Sequence, residues 1–452
     1  MHLSLDAKWF CFRALEVLSE LRMRWRGHSG FPCEMAGAGR REQTKHIWVF
    51  TSTIGELNAI EPLLKRLTRD PSTPLALLTD REHYRESLLA KYPSARVLVI
   101  DHRTSRIREL IREVPPSLLL LAEIPCLLSD APCRFPFALA YEAKKRGVPI
   151  CLVNGWLYRQ QPTCWMDRLE KFLFGRDFLR LFDVITVQDE DIRRSLLDGG
   201  AHPDRVFVTG NMKFDVLAQA AWDPRSAKSP KLLDAIRQSG RPVLTAGCVT
   251  NVPEQALVLD AFRLAAKLPS DPLLVLAPRH PENAERMRIL ERLLAERGYR
   301  FVLKSKLGGA PITDDIQCLV LDTLGELKDF YALSTFSYVG LNHNLLEPMM
   351  FGKKVLVTPG WDPDHPAYSV YKLLTDRGFI TQVAGEDLAE AILQGLVERH
   401  AGPKRSNFQH SEEYRALAGA TERCLVHLEP VIGPMMASLA ASGAWQKAAP
   451  PL

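Results

Sequence analysis

The chain has 452 residues, more than one ordinary hydrophobic core accommodates, which indicates two domains with terminal segments. Hydrophobic residues make up 46% and charged residues 25%, a composition typical of globular proteins. A net charge of +5 without a dense Lys/Arg block argues against a nucleic-acid partner. The nine cysteines form no C-x-x-C pair and no cluster with zinc spacing, so we predict reduced thiols, a cytoplasmic setting and no metal site.

An amphipathic helix is predicted for residues 1–26, where Leu5, Trp9, Phe12 and Leu15 follow helical spacing among basic residues. Two interpretations stay open: a helix lying on an anionic membrane surface, or a helix packed on its own domain. No apolar run is long enough to span a bilayer. Residues 27–45 are Gly-rich and polar and are predicted to be a linker.

Short apolar strands alternate with amphipathic helices over residues 46–213, which predicts a parallel sheet covered on both faces. The predicted strands are Ile47–Phe50, Leu75–Leu78, Arg96–Ile100, Leu118–Leu121, Val148–Val153 and Val184–Val187. Residues 214–240 are polar and are predicted to be an interdomain linker.

The same alternation returns over residues 241–405. Its predicted strands are Val243–Ala246, Leu273–Leu276, Phe301–Leu303, Cys318–Leu321, Phe336–Val339 and Val355–Val357. The fold class is therefore α/β, with two Rossmann-like, doubly wound domains facing a cleft at the carboxyl ends of their sheets. Residues 406–452 form a C-terminal helix and tail, for which we consider a return to the first domain.

Two motifs of the first domain carry candidate chemistry. Thr51–Glu56 follows the first strand, and Glu56 at the start of a helix is suited to accept a proton from a substrate hydroxyl. The alternative is an acidic residue that complements the helix dipole. In Val208–Asp215, Lys213 is suited to meet an anion, or else is a surface lysine beside a turn.

Three motifs of the second domain follow predicted strands. Arg279 and His280 lie between two prolines, and the planar fork of an arginine suits a phosphate or carboxylate. Gly325 and Glu326 lie in a turn before a helix, where backbone N–H groups attract phosphate. Asn344 and Glu347 are three residues apart and share a helix face. A helix cap at an asparagine is the alternative for that segment.

The motifs taken together, in order, resemble those of the 3-deoxy-D-manno-octulosonic acid (Kdo) transferases, over roughly residues 45–400. These are membrane-associated glycosyltransferases of the B-type fold. The resemblance implies an inverting, metal-independent transfer of Kdo from CMP-Kdo to a lipid A precursor, without a cofactor. It implies peripheral binding to the cytoplasmic face of the inner membrane.

The resemblance also assigns roles residue by residue. Glu56 matches the family's catalytic glutamate, while donor binding falls to Arg279, His280, Gly325, Glu326, Asn344 and Glu347. Further anion or substrate contacts are Lys213, Ser52 and Glu123.

The chain departs from the family's pattern in several strings. Gly247-Cys248-Val249-Thr250 replaces Gly-Ser-Thr-His, and Asn154-Gly155-Trp156-Leu157-Tyr158 replaces Asn-Ala-Arg-Leu-Ser. The Met-Glu-Thr-Glu-Leu-Trp-Pro segment is reduced to Ala122-Glu123, followed by an insertion and Phe135-Pro136. Two other functions are therefore kept: a UDP-GlcNAc 2-epimerase-like enzyme, and an inactive homologue that acts as a binding protein.

Overall fold

The computed structural model describes residues 4–25, 44–69, 73–131, 133–161, 164–218, 227–365, 367–397, 408 and 411–441. The chain divides into two compact units. Unit 1 consists of Met1–Val216 and Leu417–Leu452, and unit 2 of Leu217–Ala416. The predicted linker 27–45 lies almost entirely outside the described residues.

Unit 1 is built on a seven-stranded sheet in the order β3-β2-β1-β4-β5-β6-β7, with parallel neighbours throughout. The central strands are buried along almost their whole length, with Ser117 of β4 half-buried, as expected for a sheet covered on both faces. The strands are β1 (His46–Phe50), β2 (Leu75–Thr79), β3 (Arg96–Val99), β4 (Pro116–Ala122), β5 (Ile150–Gly155), β6 (Val184–Val187) and β7 (Val206–Val208).

Helices connect these strands. They are α1 (Leu5–Trp25), α2 (Ile54–Ala59), α3 (Glu61–Leu67), α4 (Arg85–Lys91), α5 (Thr104–Glu113), α6 (Phe137–Lys144), α7 (Trp165–Leu181), α8 (Glu190–Asp198) and α9 (Lys213–Ala218).

Helix α1 packs on unit 1 through one face. Trp9 and Phe12 are buried, and Trp9 contacts the rings of Phe137, Tyr141 and Phe174. The opposite face leaves Phe10 76% and Leu18 62% exposed. The packed helix, one of the two interpretations of the sequence, is thus observed, and an exposed apolar face remains beside it.

Unit 2 repeats the design with a seven-stranded parallel sheet in the order β10-β11-β9-β8-β12-β13-β14. Its strands are β8 (Val243–Val249), β9 (Leu273–Pro278), β10 (Phe301–Leu303), β11 (Cys318–Val320), β12 (Phe336–Val339), β13 (Val355–Val357) and β14 (Thr381–Gln382). Its helices are α10 (Pro230–Gln238), α11 (Val252–Ala265), α12 (Ala284–Glu296), α13 (Leu327–Leu333), α14 (Leu346–Met349), α15 (Tyr368–Asp376) and α16 (Leu388–Val397). The predicted α/β class with two doubly wound domains is confirmed.

The boundary between the two units, at Val216 and Leu217, lies within the predicted interdomain linker, but this segment also contains helices. The segment 214–240, predicted as a linker, contains most of α9 and all of α10. Helix α10 is amphipathic: it starts with Pro230, and it buries Leu232, Leu233 and Ile236 against the sheet of unit 2.

The C-terminal segment contains α17 (Glu412–Leu417) and α18 (Ala420–Ala441), and from Leu417 onward it belongs to unit 1. Helix α18 adds Ala420, Cys424, Leu428 and Ile432 to the core beneath the first sheet.

The strand orders place a topological switch point between β1 and β4 in unit 1, and between β8 and β12 in unit 2. In open α/β sheets, ligands bind outside the carboxyl ends of the strands at such a point, because the connections leave the two strands in opposite directions there. The fold therefore directs attention to the loops after these four strands.

Candidate functional site

Glu56 lies in the turn from β1 into α2. Thr53 caps this helix, and its side chain accepts a hydrogen bond from the Glu56 backbone N–H. In turn, Oε2 of the Glu56 carboxylate accepts hydrogen bonds from the backbone N–H groups of Ser52 at 2.6 Å and Thr53 at 3.2 Å, which completes a capping box. The helix-terminus arrangement considered for Glu56 is thus present.

The Glu56 side chain is only 2% exposed. Burial, followed by the charge of Glu123, raises its pKa to about 8, against the lowering effect of two backbone N–H groups and the Tyr158 hydroxyl. A carboxyl group with this pKa exchanges a proton near neutral pH, as a general acid or base requires.

Glu123 follows β4, on the other side of the switch point, in the left-handed backbone region at φ 57°. Its Oε1 pairs with Lys213 Nζ at 3.0 Å and accepts a bond from Asn154 Nδ2 at 2.8 Å. The predicted residues Glu56, Glu123 and Lys213 thus belong to one cluster, connected by the Tyr158 hydroxyl.

Polar side chains at the carboxyl end of β5 and directly after β6 and β7 support this cluster. Asn154 Oδ1 accepts a bond from the backbone N–H of Met212 at 2.9 Å, and Asn211 donates to Gln188 at 2.8 Å. Sequence analysis assigned no role to Asn154, Tyr158 or Gln188. The signal available for Asn154 and Gln188 was their position directly after predicted strands, whereas Tyr158 lies five residues beyond the predicted strand end at Val153.

Hydrogen bonds of Ser52 join the loop after β1 to residues that follow β2, and these in turn contact a histidine that follows β3. Its Oγ donates to Asp80 at 2.8 Å and accepts a bond from Arg81 Nε at 3.3 Å. His102 Nε2 lies 3.5 Å from the other Asp80 oxygen. Burial acts to raise the pKa of Asp80, but the combined effects of His102, Ser52 and Arg81 hold that pKa below its ordinary value.

In unit 2, Gly247–Thr250, the string that departs from the family pattern, forms the carboxyl end of β8 and the start of the following loop. Cys248 has a positive φ of 57°, and burial raises the pKa of its thiol to about 12, so the thiol stays protonated. Thr250 Oγ1 lies 3.2 Å from His343 Nε2, which joins the loops after β8 and β12.

Arg279 and His280 follow β9. The backbone N–H of Arg279 donates to Val249 O at 3.0 Å, and among the described residues no carboxylate forms an ion pair with its guanidinium. His280 has φ 60°, is exposed and pairs with Glu282 at 2.9 Å.

The positive charge of Arg279 affects the protonation of His343 in the loop after β12. Burial, and then the charges of Arg279, His365 and His280, lower its pKa to about 3, so its ring is neutral at physiological pH. A neutral imidazole in a positive field suits the neighbourhood of an anionic ligand.

Glu347 lies in α14 after β12, and burial raises its pKa despite Lys328 and a hydrogen bond from Asn344. Asn344 Nδ2 donates to Glu347 Oε1 at 3.4 Å, while Asn344 Oδ1 accepts from the backbone of Leu346 at 3.1 Å. Asn344 precedes α14, so the two residues do not share a helix face as predicted, and Asn344 instead makes the local backbone contact of the capping alternative.

Gly325 has φ 79°, a conformation that glycine adopts without strain. Glu326 is 3% exposed, and its carboxylate binds Lys304, Ser229 and Thr323, each at 2.7 Å. Burial alone raises the pKa of Glu326, but these three bonds hold it below its ordinary value. These hydrogen-bond partners of the Glu326 carboxylate are all residues of unit 2.

In the part of the chain that the structure describes, no cluster of three or more His, Cys, Asp or Glu side chains is arranged to hold a metal ion. None of the described helices combines the length and the apolar character needed to cross a membrane.

The family model for 3-deoxy-D-manno-octulosonic acid transferases matches residues 23–216. The Kdo transferase of Haemophilus influenzae is 23% identical over 397 residues, covering 85% of this chain and 87% of the relative. That of Chlamydia trachomatis serovar D is 27% identical over 314 residues, covering 67% of each.

A bifunctional glycosyltransferase/methyltransferase of Fusobacterium nucleatum is 25% identical over 325 residues, covering 69% of this chain. The chain spans 47% of the length of that relative.

Among solved structures, a UDP-GlcNAc 2-epimerase from Neisseria meningitidis superimposes with a TM-score of 0.56 at 14% identity, covering 85% of this chain and 99% of the other. This likeness concerns the fold. With two doubly wound parallel sheets, each carrying polar clusters after its strands, the chain has the glycosyltransferase B-type fold. Together with the family match to residues 23–216 and the relatives at 23–27% identity, this shows that the chain resembles the Kdo transferases, a family of glycosyltransferases.

Proposed function

We propose that this chain is an inverting, metal-independent glycosyltransferase of lipopolysaccharide synthesis. It moves Kdo, or a related ulosonic acid, from a CMP-sugar donor to a lipid A precursor or similar glycolipid. The observation that carries the proposal is the Glu56 carboxyl group, which is buried, held by two backbone N–H groups and has a pKa raised to about 8.

In this mechanism, Glu56 removes the proton from an acceptor hydroxyl. The hydroxyl oxygen forms a bond to the anomeric carbon of the donor sugar, while the bond from that carbon to the phosphate oxygen breaks and CMP leaves with the electron pair. Attack on the face opposite to the leaving group inverts the anomeric centre. The proton ends on Glu56, and no other co-reactant is required.

The donor nucleotide binds to unit 2. The half-buried Arg279, which has no carboxylate partner among the described residues, binds the phosphate and stabilises the negative charge that develops on CMP. His280, Asn344 and Glu347 contribute further contacts to the nucleotide or sugar, as do Gly325 and Glu326 through their turn. Because the guanidinium carries a permanent charge, the reaction proceeds without a metal ion.

The acceptor binds to unit 1, with Lys213, Ser52 and Glu123 around the base. The exposed Phe10 and Leu18 of α1 bind the cytoplasmic face of the inner membrane, where a glycolipid acceptor resides. Cosedimentation with anionic vesicles tests this contact: the wild type should bind more strongly than a Phe10→Ser/Leu18→Ser variant, and equal binding would contradict it.

Mass spectrometry of the products from CMP-Kdo and a lipid A precursor tests the overall reaction. The expected result is an acceptor whose mass has increased by one or more Kdo residues. Parallel incubation with UDP-GlcNAc alone tests the epimerase alternative, since an epimerase needs no acceptor. CMP binding without turnover on any acceptor would favour the inactive homologue.

Glu56→Gln tests the base. Because positioned proton transfer contributes roughly 10²–10⁴-fold, turnover should fall by that factor while CMP binding remains nearly unchanged. The matched control is Glu170→Gln in α7, since Glu170 is also buried and has a pKa raised to about 8. Full activity in Glu56→Gln, or an equal loss in Glu170→Gln, would overturn the assignment.

A further inference from the structure

The hydroxyl of Tyr158 lies between two carboxylates of unit 1. It is 3.1 Å from Glu56 Oε1 and 3.2 Å from Glu123 Oε2. A phenol has one proton to donate, so it can donate to only one of these oxygens at a time. The protonation state of the carboxylates therefore decides which way the hydroxyl points.

The two carboxylates are compensated unequally. Glu123 has the Lys213 ammonium at 3.0 Å and the Asn154 amide at 2.8 Å. Among the described residues, the Glu56 carboxylate accepts hydrogen bonds only from backbone N–H groups and the Tyr158 hydroxyl, and the negative charge of Glu123 repels it. When Glu56 is protonated, it donates to Tyr158, which donates to Glu123. When Glu56 is ionised, the hydroxyl turns and donates to Glu56.

Other charged groups around this cluster come from neighbouring loops. Asp80 accepts a hydrogen bond from Ser52 and has His102 and Arg81 as neighbours. The charge of Glu56 also acts on the Cys133 thiol and contributes to raising its pKa. The hydrogen bond with Cys126, followed by burial, raises the pKa of Cys133 well above its ordinary value, so this thiol stays neutral. Asp80 bonds Ser52 and His102 rather than Glu56, which leaves Tyr158 as the side-chain donor of Glu56 among the described residues.

Tyr158 itself is held by the insertion between Ala122-Glu123 and Phe135-Pro136. Asp130, 1% exposed, accepts hydrogen bonds at Oδ1 from the backbone N–H groups of Tyr158 at 2.6 Å and Arg159 at 3.1 Å. Tyr158 stands where the Kdo transferase string has a serine, whose short side chain could not reach this position from the same backbone. The insertion and the tyrosine are therefore joined in one hydrogen-bonded arrangement in this chain.

We infer that Tyr158 is a positioning residue that stabilises the ionised form of Glu56, and that Asp130 of the insertion holds it in place. This inference rests on the proposed role of Glu56 as the base. Loss of the hydroxyl should leave Glu56 protonated over a wider range of pH, and removal of the Glu123 charge should have the opposite effect.

The test is the pH profile of kcat/KM. In the wild type the rate should rise with pH through the pKa of Glu56, about 8, because only the ionised carboxylate accepts a proton. Tyr158→Phe should move this acid limb to higher pH by about one to two units, the worth of a hydrogen bond to a charged group. At neutral pH its rate should fall roughly 10–100-fold and recover at higher pH. Glu123→Gln should move the limb to lower pH.

Two variants serve as controls. Tyr92→Phe removes another buried hydroxyl of unit 1, one with no hydrogen-bond partner in the part of the chain that the structure describes, and should leave the profile unchanged. Asp130→Asn keeps an oxygen acceptor for the Tyr158 backbone and should change little, whereas Asp130→Ala should shift the limb in the same direction as Tyr158→Phe.

The outcomes separate the two proposals. If Glu56→Gln abolishes transfer but Tyr158→Phe leaves the acid limb in place, the inference is wrong and the proposed function stands. If the wild type transfers no sugar, the proposed function fails. The inference is then tested by carbon NMR titration of labelled glutamate, with the Glu56 signal assigned by its loss in Glu56→Gln. An unchanged titration of that signal in Tyr158→Phe would overturn it.

Discussion

Gly247, at the end of β8, has no room for a side chain. A Cβ on this residue would lie 1.8 Å from the Tyr331 hydroxyl and 3.1 Å from Leu327 Cδ2. Tyr331 is 1% exposed, so its ring cannot move aside into solvent. The glycine therefore permits the close packing of α13 against the carboxyl end of β8.

Gly247→Ala should destabilise unit 2 by about 1–3 kcal/mol, the usual cost of overpacking a filled core. The midpoint of urea unfolding measures this. Gly385→Ala is the control in the same unit, because its Cβ would make only ordinary contacts of 3.5 Å with Leu257 and its φ is not left-handed. If both variants unfold at the same urea concentration, the Tyr331 side chain moves aside without a measurable cost and the prediction is wrong.

Single residues could be predicted from the sequence where a strand leads directly into them. Glu56 and Lys213 were found in this way, and both lie in the unit 1 cluster. Their partners could not be predicted, because Tyr158 is 102 positions from Glu56 and no local periodicity connects them. The internal bonds of Glu326 to Lys304 and Ser229 depend on tertiary packing in the same way.

At the scale of elements, Asp215 shows how one side chain fixes a helix from a distant part of the chain. Its two carboxylate oxygens each accept a 2.6 Å hydrogen bond, from the backbone N–H groups of Gly419 and Thr421 at the start of α18. Arg423 in the first turn of that helix donates to Thr209 O at 2.8 Å. The Gly-Asn-Met-Lys-Phe-Asp motif thus has a structural role as well as a lysine in the cluster.

Asp215→Ala should destabilise the start of α18 by about 0.5–2 kcal/mol, since a lost helix cap leaves backbone N–H groups without partners. Hydrogen exchange should accelerate most at residues 419–424. Glu422→Ala is the control, because Glu422 pairs with Arg66 on the exposed surface and such pairs contribute little. Equal exchange in the two variants would contradict the capping role.

Elements were predictable where burial is continuous. The strands of both sheet centres are mostly apolar and almost wholly buried, and their bounds were predicted to within a few residues. Helix α10 was missed, because its polar surroundings masked the spacing of Leu232, Leu233 and Ile236. Strand β14 has two exposed residues and no hydrophobic signal.

At the scale of the whole molecule, the two units differ in how the chain builds them. Unit 2 is one continuous segment, whereas unit 1 needs two segments that are distant in sequence. The repeated strand–helix pattern predicted two halves. It could only suggest that the C-terminal helix packs on the first domain, because the spacing of apolar residues predicts that a helix has a buried face but not which domain it packs against.

Unit 2 should therefore fold when expressed alone as residues 217–416. It contains its whole sheet and both core clusters that flank it. Residues 1–216 alone should not be stable, because they lack Ala420, Cys424, Leu428 and Ile432 from their core. Calorimetry should show one cooperative transition for the first fragment and none for the second.

If the donor nucleotide binds to unit 2, this fragment should also bind CMP. Arg279→Ala should weaken binding by roughly 10–100-fold, the worth of a charge-assisted hydrogen bond to phosphate, and raised salt should weaken the wild-type complex. Arg288→Ala is the control, because Arg288 is exposed on α12 and the substitution removes the same charge. Isothermal titration calorimetry measures the affinities. Equal weakening by the two substitutions would mean that the net charge of unit 2, rather than the position of Arg279 after β9, governs nucleotide binding.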